Sequence, residues 1–370
     1  MAVGFPTKAN WAAGDVLTAS AMDDLAGTVN LLSNASAATG SILVSNAAGT
    51  SFVYQGSQAA GKNAIINGGF DIWQRGTTTT SSGYQTADRW ACANLGGGTT
   101  TFSRESTIVS TGSTYSMKFA QATANGLPFA DQVIETLNSV QFAGKTIAVS
   151  IQAAASASTT ATIELNYSTS TDNPENGSWT AITPTSGGSG TVTTTASFAA
   201  VTGIYAVPST AKTLKLRIYT NPLTTGTSFY FGQVQLELGS VATAFTRAGG
   251  NIQGELSACQ RYYYRIAGQS YAVLLANTFA RSTGNMYGTM KHPVTMRTQP
   301  AFGSSNVNST DFNIQYAGSD VTVATLGSLF PNTTSVGLAT GGSGFTVGQG
   351  GLVYIAAGAT SAWVDVSAEL

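Results

Sequence analysis

The chain has 370 residues and a formal net charge of −1, a length that holds two ordinary domains and some connecting structure. Only 9% of its residues are charged, against roughly 25% in a typical soluble domain. This balance argues against a nucleic-acid partner, because phosphate binding needs clustered Lys or Arg, and it favours strands and turns over long amphipathic helices.

Residues 1–39 hold the only helical pattern in the sequence. Met22, Leu25, Val29 and Leu32 recur at the a and d spacing of a heptad. Two heptads are too short to be stable alone in water, so we expect the helix to form only against copies of itself or against a host structure. The pattern predicts an attachment and oligomerisation segment. A single amphipathic helix docked on its own domain is the alternative.

The next two stretches predict β-structure. Residues 40–61 contain two short strand-like runs, 41–44 and 52–55, and form a predicted β connector. From residue 62 to residue 246, short apolar runs are separated by Gly, Ser, Asn and Thr. In residues 214–219 apolar and polar side chains alternate, which is typical of a half-buried strand. Many short strands with frequent turns predict a jelly-roll β-sandwich over 62–246.

Residues 247–258 are predicted to be a linker, and residues 259–370 a second, smaller β-sandwich. The second unit opens with three consecutive tyrosines at 262–264, which places aromatic side chains on both faces of a strand. A strand of a monomeric sandwich usually leaves one face polar. We therefore expect the outer face to pack on a neighbouring subunit or domain, and we interpret this as a second indication of oligomerisation.

The composition offers little for catalysis or metal binding. His292 is the single histidine, and together with Cys92 and Cys259 it cannot complete an ordinary zinc site within one chain. No motif brings two carboxylates together at the spacing that glycoside hydrolysis requires. We predict no catalytic residue, no metal site and no enzymatic activity.

Two aromatic residues are the predicted ligand-binding residues. Trp179 ends the loop-like stretch 172–179, and Tyr84 lies in a Gly-Tyr turn. The apolar C–H faces of sugar rings stack on such aromatic rings, while neighbouring amides and acids bond the hydroxyl groups. Trp73 and Trp90 stand beside apolar runs and are predicted to be core residues.

Membrane insertion and secretion are not expected. No run of about 18 apolar residues occurs. The start of the sequence lacks the basic segment and apolar core of a secretory signal.

Several motifs match one kind of protein in order along the chain. Residues 63–76 read Asn-Ala-Ile-Ile-Asn-Gly-Gly-Phe-Asp-Ile-Trp-Gln-Arg-Gly, residues 87–90 read Ala-Asp-Arg-Trp, and residues 229–239 read Phe-Tyr-Phe-Gly-Gln-Val-Gln-Leu-Glu-Leu-Gly. Together they resemble a module common in phage tail and fibre proteins, which is itself similar to the jelly rolls of carbohydrate-binding modules.

The flanking segments extend this resemblance. Residues 259–264 (Cys-Gln-Arg-Tyr-Tyr-Tyr), 293–297 (Pro-Val-Thr-Met-Arg) and 367–370 (Ser-Ala-Glu-Leu) resemble the distal domain that often follows this module. Residues 5–18 are similar to virion-attachment ends of such proteins.

The resemblance implies a structural component of a phage virion, a tail fibre or spike that contributes to adhesion to a host-surface glycan. It implies a homotrimer that contacts other virion proteins through its N-terminus, is assembled in the host cytoplasm and is released by lysis. Two alternatives stay open: a capsid-decorating or tail-lattice protein without a receptor role, and a polysaccharide-degrading tailspike.

The resemblance also raises the question of a structural calcium site. Carbohydrate-binding jelly rolls often hold a structural calcium with an acidic residue on the last strand, and here Gln233 stands at the comparable place. Asp71 and Glu237 are the remaining carboxylates that could contribute. We predict no cofactor.

Overall fold

The structure is a computed structural model, and it describes residues 41–45, 52–56, 62–123, 126–193, 197–305 and 311–370. The predicted N-terminal helix, with Met22, Leu25, Val29 and Leu32, lies outside the described residues. Strands β1 (Ser41–Ser45) and β2 (Phe52–Gly56) pair antiparallel, so the strand pair predicted within 40–61 is confirmed.

A long series of strands follows. In chain order they are β3 (Thr78–Thr79), β4 (Ala91–Leu95), β5 (Thr100–Glu105), β6 (Ser116–Gln121), β7 (Leu127–Ile134), β8 (Thr146–Ala155), β9 (Thr159–Ser168), β10 (Thr180–Ile182), β11 (Pro184–Gly187), β12 (Ser189–Val192), β13 (Ala199–Ala206), β14 (Thr213–Thr220) and β15 (Ser228–Leu238).

These strands form a jelly roll. Sheet 1 has the order β11-β13-β8-β15-β6-β5-β3, and sheet 2 has the order β10-β9-β14-β7-β4 with β12 also paired to β9. The pairs β6–β15, β7–β14, β8–β13 and β9–β12 are all antiparallel. An antiparallel hairpin that is folded over so that successive strands alternate between two sheets is a jelly roll. The predicted fold of this region is confirmed.

One apolar core lies between sheets 1 and 2. Val149 and Ile151 of sheet 1 belong to the same buried cluster as Leu214 and Leu216 of sheet 2. Trp90 is fully buried in this cluster, as predicted. Complete burial of an aliphatic side chain such as Val, Leu or Ile stabilises the fold by about 1.5–3 kcal/mol. The outward-facing residues of the same strands are therefore the ones available for function.

The remaining strands build two further antiparallel sheets. In chain order they are β16 (Tyr263–Ala267), β17 (Val273–Ser282), β18 (Asn285–Lys291), β19 (Ala301–Ser304), β20 (Phe312–Tyr316), β21 (Ser319–Thr322), β22 (Thr325–Leu329), β23 (Ser335–Gly341), β24 (Gly350–Ile355) and β25 (Trp363–Ser367). Sheet 3 has the order β16-β25-β19 and sheet 4 the order β21-β20-β24-β17-β18-β23-β22. Val364 and Val366 of sheet 3 share a buried cluster with Phe312 and Ile314 of sheet 4.

Helices are few and short in the described part of the chain. They are α1 (Thr136–Ser139), a 3-10 turn (Val140–Phe142) and α2 (Ile252–Gln260). Among these, none has the length and apolar character needed to cross a membrane.

Helix α2 corrects the prediction of a linker over residues 247–258. Asn251 is its N-cap, and the Asn251 Oδ1 accepts a hydrogen bond from the Gly254 nitrogen at 2.9 Å. The buried carboxylate of Glu255 accepts hydrogen bonds from the main-chain nitrogens of Asn67 and Gly249. Residues 252–258 are thus helical and fastened to the start of the jelly roll. The Asn251 cap was a signal in the sequence that the prediction overlooked.

The tyrosine run packs on another part of the same chain, as expected for a neighbouring domain, and it is therefore no longer an indication of oligomerisation. The Arg89 guanidinium lies 3.5 Å from the ring centroid of Tyr262, and the Arg75 guanidinium lies 3.5 Å from that of Tyr263. Glu369 accepts hydrogen bonds from both arginines. These five residues form the arginine–tyrosine interface, which joins the jelly roll to sheet 3. The aromatic face is covered by a neighbouring part of the same chain.

Candidate functional site

Trp179 lies in the loop between β9 and β10 and is held in a fixed position there. Its single indole N–H donates a bifurcated hydrogen bond to the main-chain oxygens of Pro174 and Glu175, both at 3.1 Å. The Asn173 side chain donates to the Ser178 oxygen at 2.9 Å and closes the loop. The ring is half-buried. It offers a surface to a ligand without the entropy cost of ordering a mobile side chain.

A charged cluster on the outward face of sheet 2 supports this ring. The Lys215 ammonium lies 5.1 Å from the Trp179 ring centroid. The same ammonium is 3.3 Å from Asp131 Oδ2 and 4.0 Å from Glu175 Oε1. Arg217 donates two hydrogen bonds to Asp131, at 2.8 and 2.7 Å. These five residues form the Trp179 face.

The charges of the Trp179 face balance one another. Burial raises the pKa of the Glu175 carboxyl, Asp131 raises it further, and Lys215 opposes the shift. The hydrogen bond to Asp131 raises the pKa of Arg217. Two cations and two carboxylates in contact leave the cluster without net charge when all are ionised. A neutral, hydroxyl-rich ligand suits such a surface better than a highly charged one.

Neighbouring outward side chains extend the face. The Arg217 guanidinium lies 4.1 Å from the Phe129 ring centroid, and the Asn166 amide donates to Glu164 Oε1 at 2.8 Å. The alternation in residues 214–219 predicts that Lys215 and Arg217 point outward from a strand. It could not show that β7 and the Trp179 loop lie beside them.

Tyr84, the second predicted ligand-binding residue, lies at the arginine–tyrosine interface. Its hydroxyl donates to the main-chain oxygen of Leu370 at 3.2 Å, and Arg75 lies 5.6 Å from its ring centroid. Burial raises the pKa of Tyr84, and the negative charge of Glu369 raises it further. The hydroxyl is thus engaged by the protein, and the structure gives Tyr84 no contact with Trp179.

His292 has the contacts of a packing residue. Its Nε2 lies 3.0 Å from the Asn332 carbonyl oxygen, which only accepts, so this nitrogen carries the proton. Its Nδ1 then accepts from the Tyr264 hydroxyl at 2.9 Å. Burial lowers the pKa of His292, which favours this neutral form.

Cys92 and Cys259 are buried and unpaired. That the chain is not an enzyme stays a prediction.

The residues considered for calcium do not fit a calcium site. Asp71 accepts a hydrogen bond from Arg247 at 2.8 Å, and the Lys62 ammonium lies 3.6 Å from the Glu237 carboxylate. Gln233 uses its amide nitrogen, a donor, toward the adjacent loop. Both carboxylates are thus neutralised by cations of the chain. In the described ranges, no group of three or more His, Cys, Asp or Glu residues is placed to hold a metal ion.

Comparisons with known proteins give only distant likenesses. Neither a protein-family model nor a curated protein sequence matches this chain. A protein of Bacteroides thetaiotaomicron to which sugar binding is attributed is 16% identical, with a TM-score of 0.34, over 48% of this chain and 100% of that one.

Two further solved structures are similar at the same level. The enzymatically active domain of tailspike protein 4 of bacteriophage CBA120 is 13% identical, with a TM-score of 0.33, over 48% of this chain and 22% of that chain. A xylan-binding domain of Paenibacillus barcinonensis is 12% identical, with a TM-score of 0.29, over 50% of this chain and 98% of that chain. With TM-scores this low, the likenesses establish neither fold nor ligand.

Proposed function

We propose that the chain is a glycan-binding structural protein of a phage virion, of the tail fibre or spike type, and that the Trp179 face binds the sugar. The observation that carries the proposal is an indole ring, fixed by a bifurcated hydrogen bond, beside a charge-balanced cluster of Lys215, Arg217, Asp131 and Glu175. Sugar C–H faces stack on aromatic rings. Hydrogen bonds between hydroxyls and ionised groups are roughly twice as strong as those between neutral groups.

The same geometry supports binding over hydrolysis. Two carboxylates, Asp131 and Glu175, come together at the Trp179 face, at 3.3 and 4.0 Å from the Lys215 ammonium. Asp131 has no exposed surface and holds Arg217 through both oxygens. Glycoside hydrolysis needs two carboxyl groups that reach the substrate from opposite sides, about 5–9.5 Å apart. Asp131 cannot take that part.

The virion role draws its support from the sequence. Ion-poor composition, the attachment pattern in residues 1–39 and the motifs shared with phage tail proteins all favour an appendage of a particle. A homotrimer would multiply a weak sugar site through avidity. Imaging of intact particles separates a projecting fibre from the alternative, a capsid-decorating or tail-lattice protein without a receptor role.

The sugar site is tested by Trp179→Ala, with Tyr271→Ala as the matched control. Tyr271 is an exposed aromatic residue, 66% accessible, that lies between β16 and β17, outside the jelly roll. The affinity of purified protein for host-surface glycans is measured on glycan arrays and on susceptible cells. Loss of one stacking contact is expected to weaken each site by up to about tenfold. Equal binding by the two variants, or no binding of the wild type to any susceptible host surface, would contradict the proposal.

A further inference from the structure

Two cavities open on the outer side of sheet 1, away from the Trp179 face. One, of about 580 Å³, is lined by Gln152, Phe198 and Gln233 together with residues 107–111. The other, of about 450 Å³, also contains Gln233 and continues along the same loop at residues 112–113. Because they share Gln233 and consecutive residues of one loop, we infer that they form a single groove. Each cavity alone has the size of an ordinary ligand site.

Gln233 is held in an unusual conformation at the centre of this groove. The pairing of β15 with β8 is irregular between Gly232 and Gln235, which marks a β-bulge. Gln233 has φ +50°, a left-handed conformation that is uncommon for a residue with a side chain. Bulges of this kind re-aim a side chain, and left-handed residues cluster at ligand sites.

Only the amide nitrogen of the Gln233 side chain makes hydrogen bonds with the described residues. Its amide nitrogen donates to the Thr111 oxygen at 2.8 Å and to the Ser113 hydroxyl at 3.0 Å, which fixes the loop that walls the groove. Its Oε1 accepts no hydrogen bond from the described residues. Because Gln233 lines both cavities, its Oε1 is an acceptor left for a ligand in the groove.

Gln152 provides a second open amide. It is an outward residue of β8, half-buried, and its side chain makes no hydrogen bond within the part of the chain that the structure describes. Its cross-strand neighbours are Gly232 on β15 and Ala200 on β13. These small residues leave space on both sides of the amide, which has donors and an acceptor to offer. A ligand group that both donates and accepts, such as a hydroxyl, satisfies it.

Each of the two cavities has one aromatic ring in its lining. Phe198 lines the larger cavity and Phe245 the smaller one, and both are half-buried. The Phe245 ring packs on Gly68 and Gly69, where an added Cβ would lie 3.4 Å from the ring. The charged residues of the groove, Asp71 and Arg247, are paired at 2.8 Å and leave no net charge.

We propose that this Gln233 groove, whose lining includes Phe198, Phe245, Gln152 and Gln233, binds an extended, uncharged oligosaccharide. Sugar rings stack on the two aromatic rings, and their hydroxyls bond the Gln152 amide and Gln233 Oε1. The chain then has two glycan sites on opposite sheets. The choice of a glycan as ligand rests on the proposed function, whereas the groove and its residues are independent of the Trp179 face.

Isothermal titration calorimetry on the full chain tests the groove. The probes are three neutral hexasaccharides (maltohexaose, cellohexaose and N-acetylated chitohexaose) and one acidic probe, hexagalacturonate. The Gln152→Ala and Phe198→Ala variants are compared with Gln141→Ala and Phe330→Ala, which remove the same residue types at exposed positions outside the groove. All are also measured in a Trp179→Ala background, and thermal melting confirms that each variant is folded.

We expect at least one neutral hexasaccharide to bind in the Trp179→Ala background. The Gln152→Ala and Phe198→Ala variants should each lower that affinity about tenfold, because each removes one hydrogen-bonding or stacking contact. Three results would each overturn the proposal of a groove site. They are affinities equal to the controls in both groove variants, tighter binding of hexagalacturonate than of the neutral probes, and no binding of any neutral probe at millimolar concentration. Failure of Trp179→Ala alone to weaken binding would count against the Trp179 face and leave the groove standing.

Discussion

Glu369 is the shared ion-pair partner of both arginines at the arginine–tyrosine interface. Glu369→Gln is therefore expected to lower the free energy of unfolding strongly. This substitution keeps the shape of the side chain and removes only the charge. Glu369 is 7% exposed, and its two partners Arg75 and Arg89 are 6% and 1% exposed. Removing one member of a buried ion pair costs about 3–5 kcal/mol, because it leaves the other charge buried without compensation. Here two guanidinium groups lose the same carboxylate, so we expect the upper part of that range.

Urea denaturation followed by circular dichroism measures the free energy of unfolding. The matched control is Glu105→Gln, whose partner Lys118 lies at 3.4 Å in a pair that is 15% and 28% exposed. A pair of that exposure contributes about 0–1 kcal/mol. In a double-mutant cycle, Arg89→Gln should cost less stability in the Glu369→Gln background than in the wild type, because it removes a guanidinium charge that is left buried without its carboxylate partner. If Glu369→Gln costs no more than Glu105→Gln, the interface is not held by charge and the reasoning is wrong.

Three further predictions concern pH, packing and attachment. Burial raises the pKa of Asp88 to about 6, so its ionised form is disfavoured in the folded state. Stability should therefore fall by up to about 3 kcal/mol as the pH rises from 4 to 7, and Asp88→Asn should flatten that dependence in urea titrations at each pH. Gly68→Ala would place a Cβ 2.1 Å from the Val234 oxygen, while Gly97 has nothing within 4 Å; we expect Gly68→Ala to lower the melting temperature strongly and Gly97→Ala hardly at all. Deleting residues 1–39 should leave a β-rich protein, by circular dichroism, that no longer enters particles, and incorporation of the truncated protein would contradict the attachment role.

The strand content and the jelly roll were predictable because they depend on local patterns. Alternation in residues 214–219 predicts β14 and identifies its buried face, and the frequent turn residues predict many short strands. Helix α2 was missed because its cap, Asn251, stands between glycines that favoured the interpretation as a linker.

Contacts across long sequence separations were not predictable from the pattern. The aromatic residues at the start of β16 required a partner, but the sequence could not show that Arg75 and Arg89 provide it from more than 170 positions earlier in the chain. In the same way, Trp179 was identified from its loop, whereas strand pairing alone brings Lys215 to the ring and Asp131 to Lys215. The Gln233 groove depends on a bulge, which a one-residue irregularity creates and no periodicity reveals.

The stacked arginines also have a mechanical meaning. Tension drawn through sheet 3 would fall on two ring stacks and two ionic contacts at once, and bonds loaded side by side yield at a greater force than bonds broken one after another. The arginine–tyrosine interface should therefore behave as a stiff coupling instead of a swivel, and a force applied to sheet 3 would be transmitted to the jelly roll with little bending.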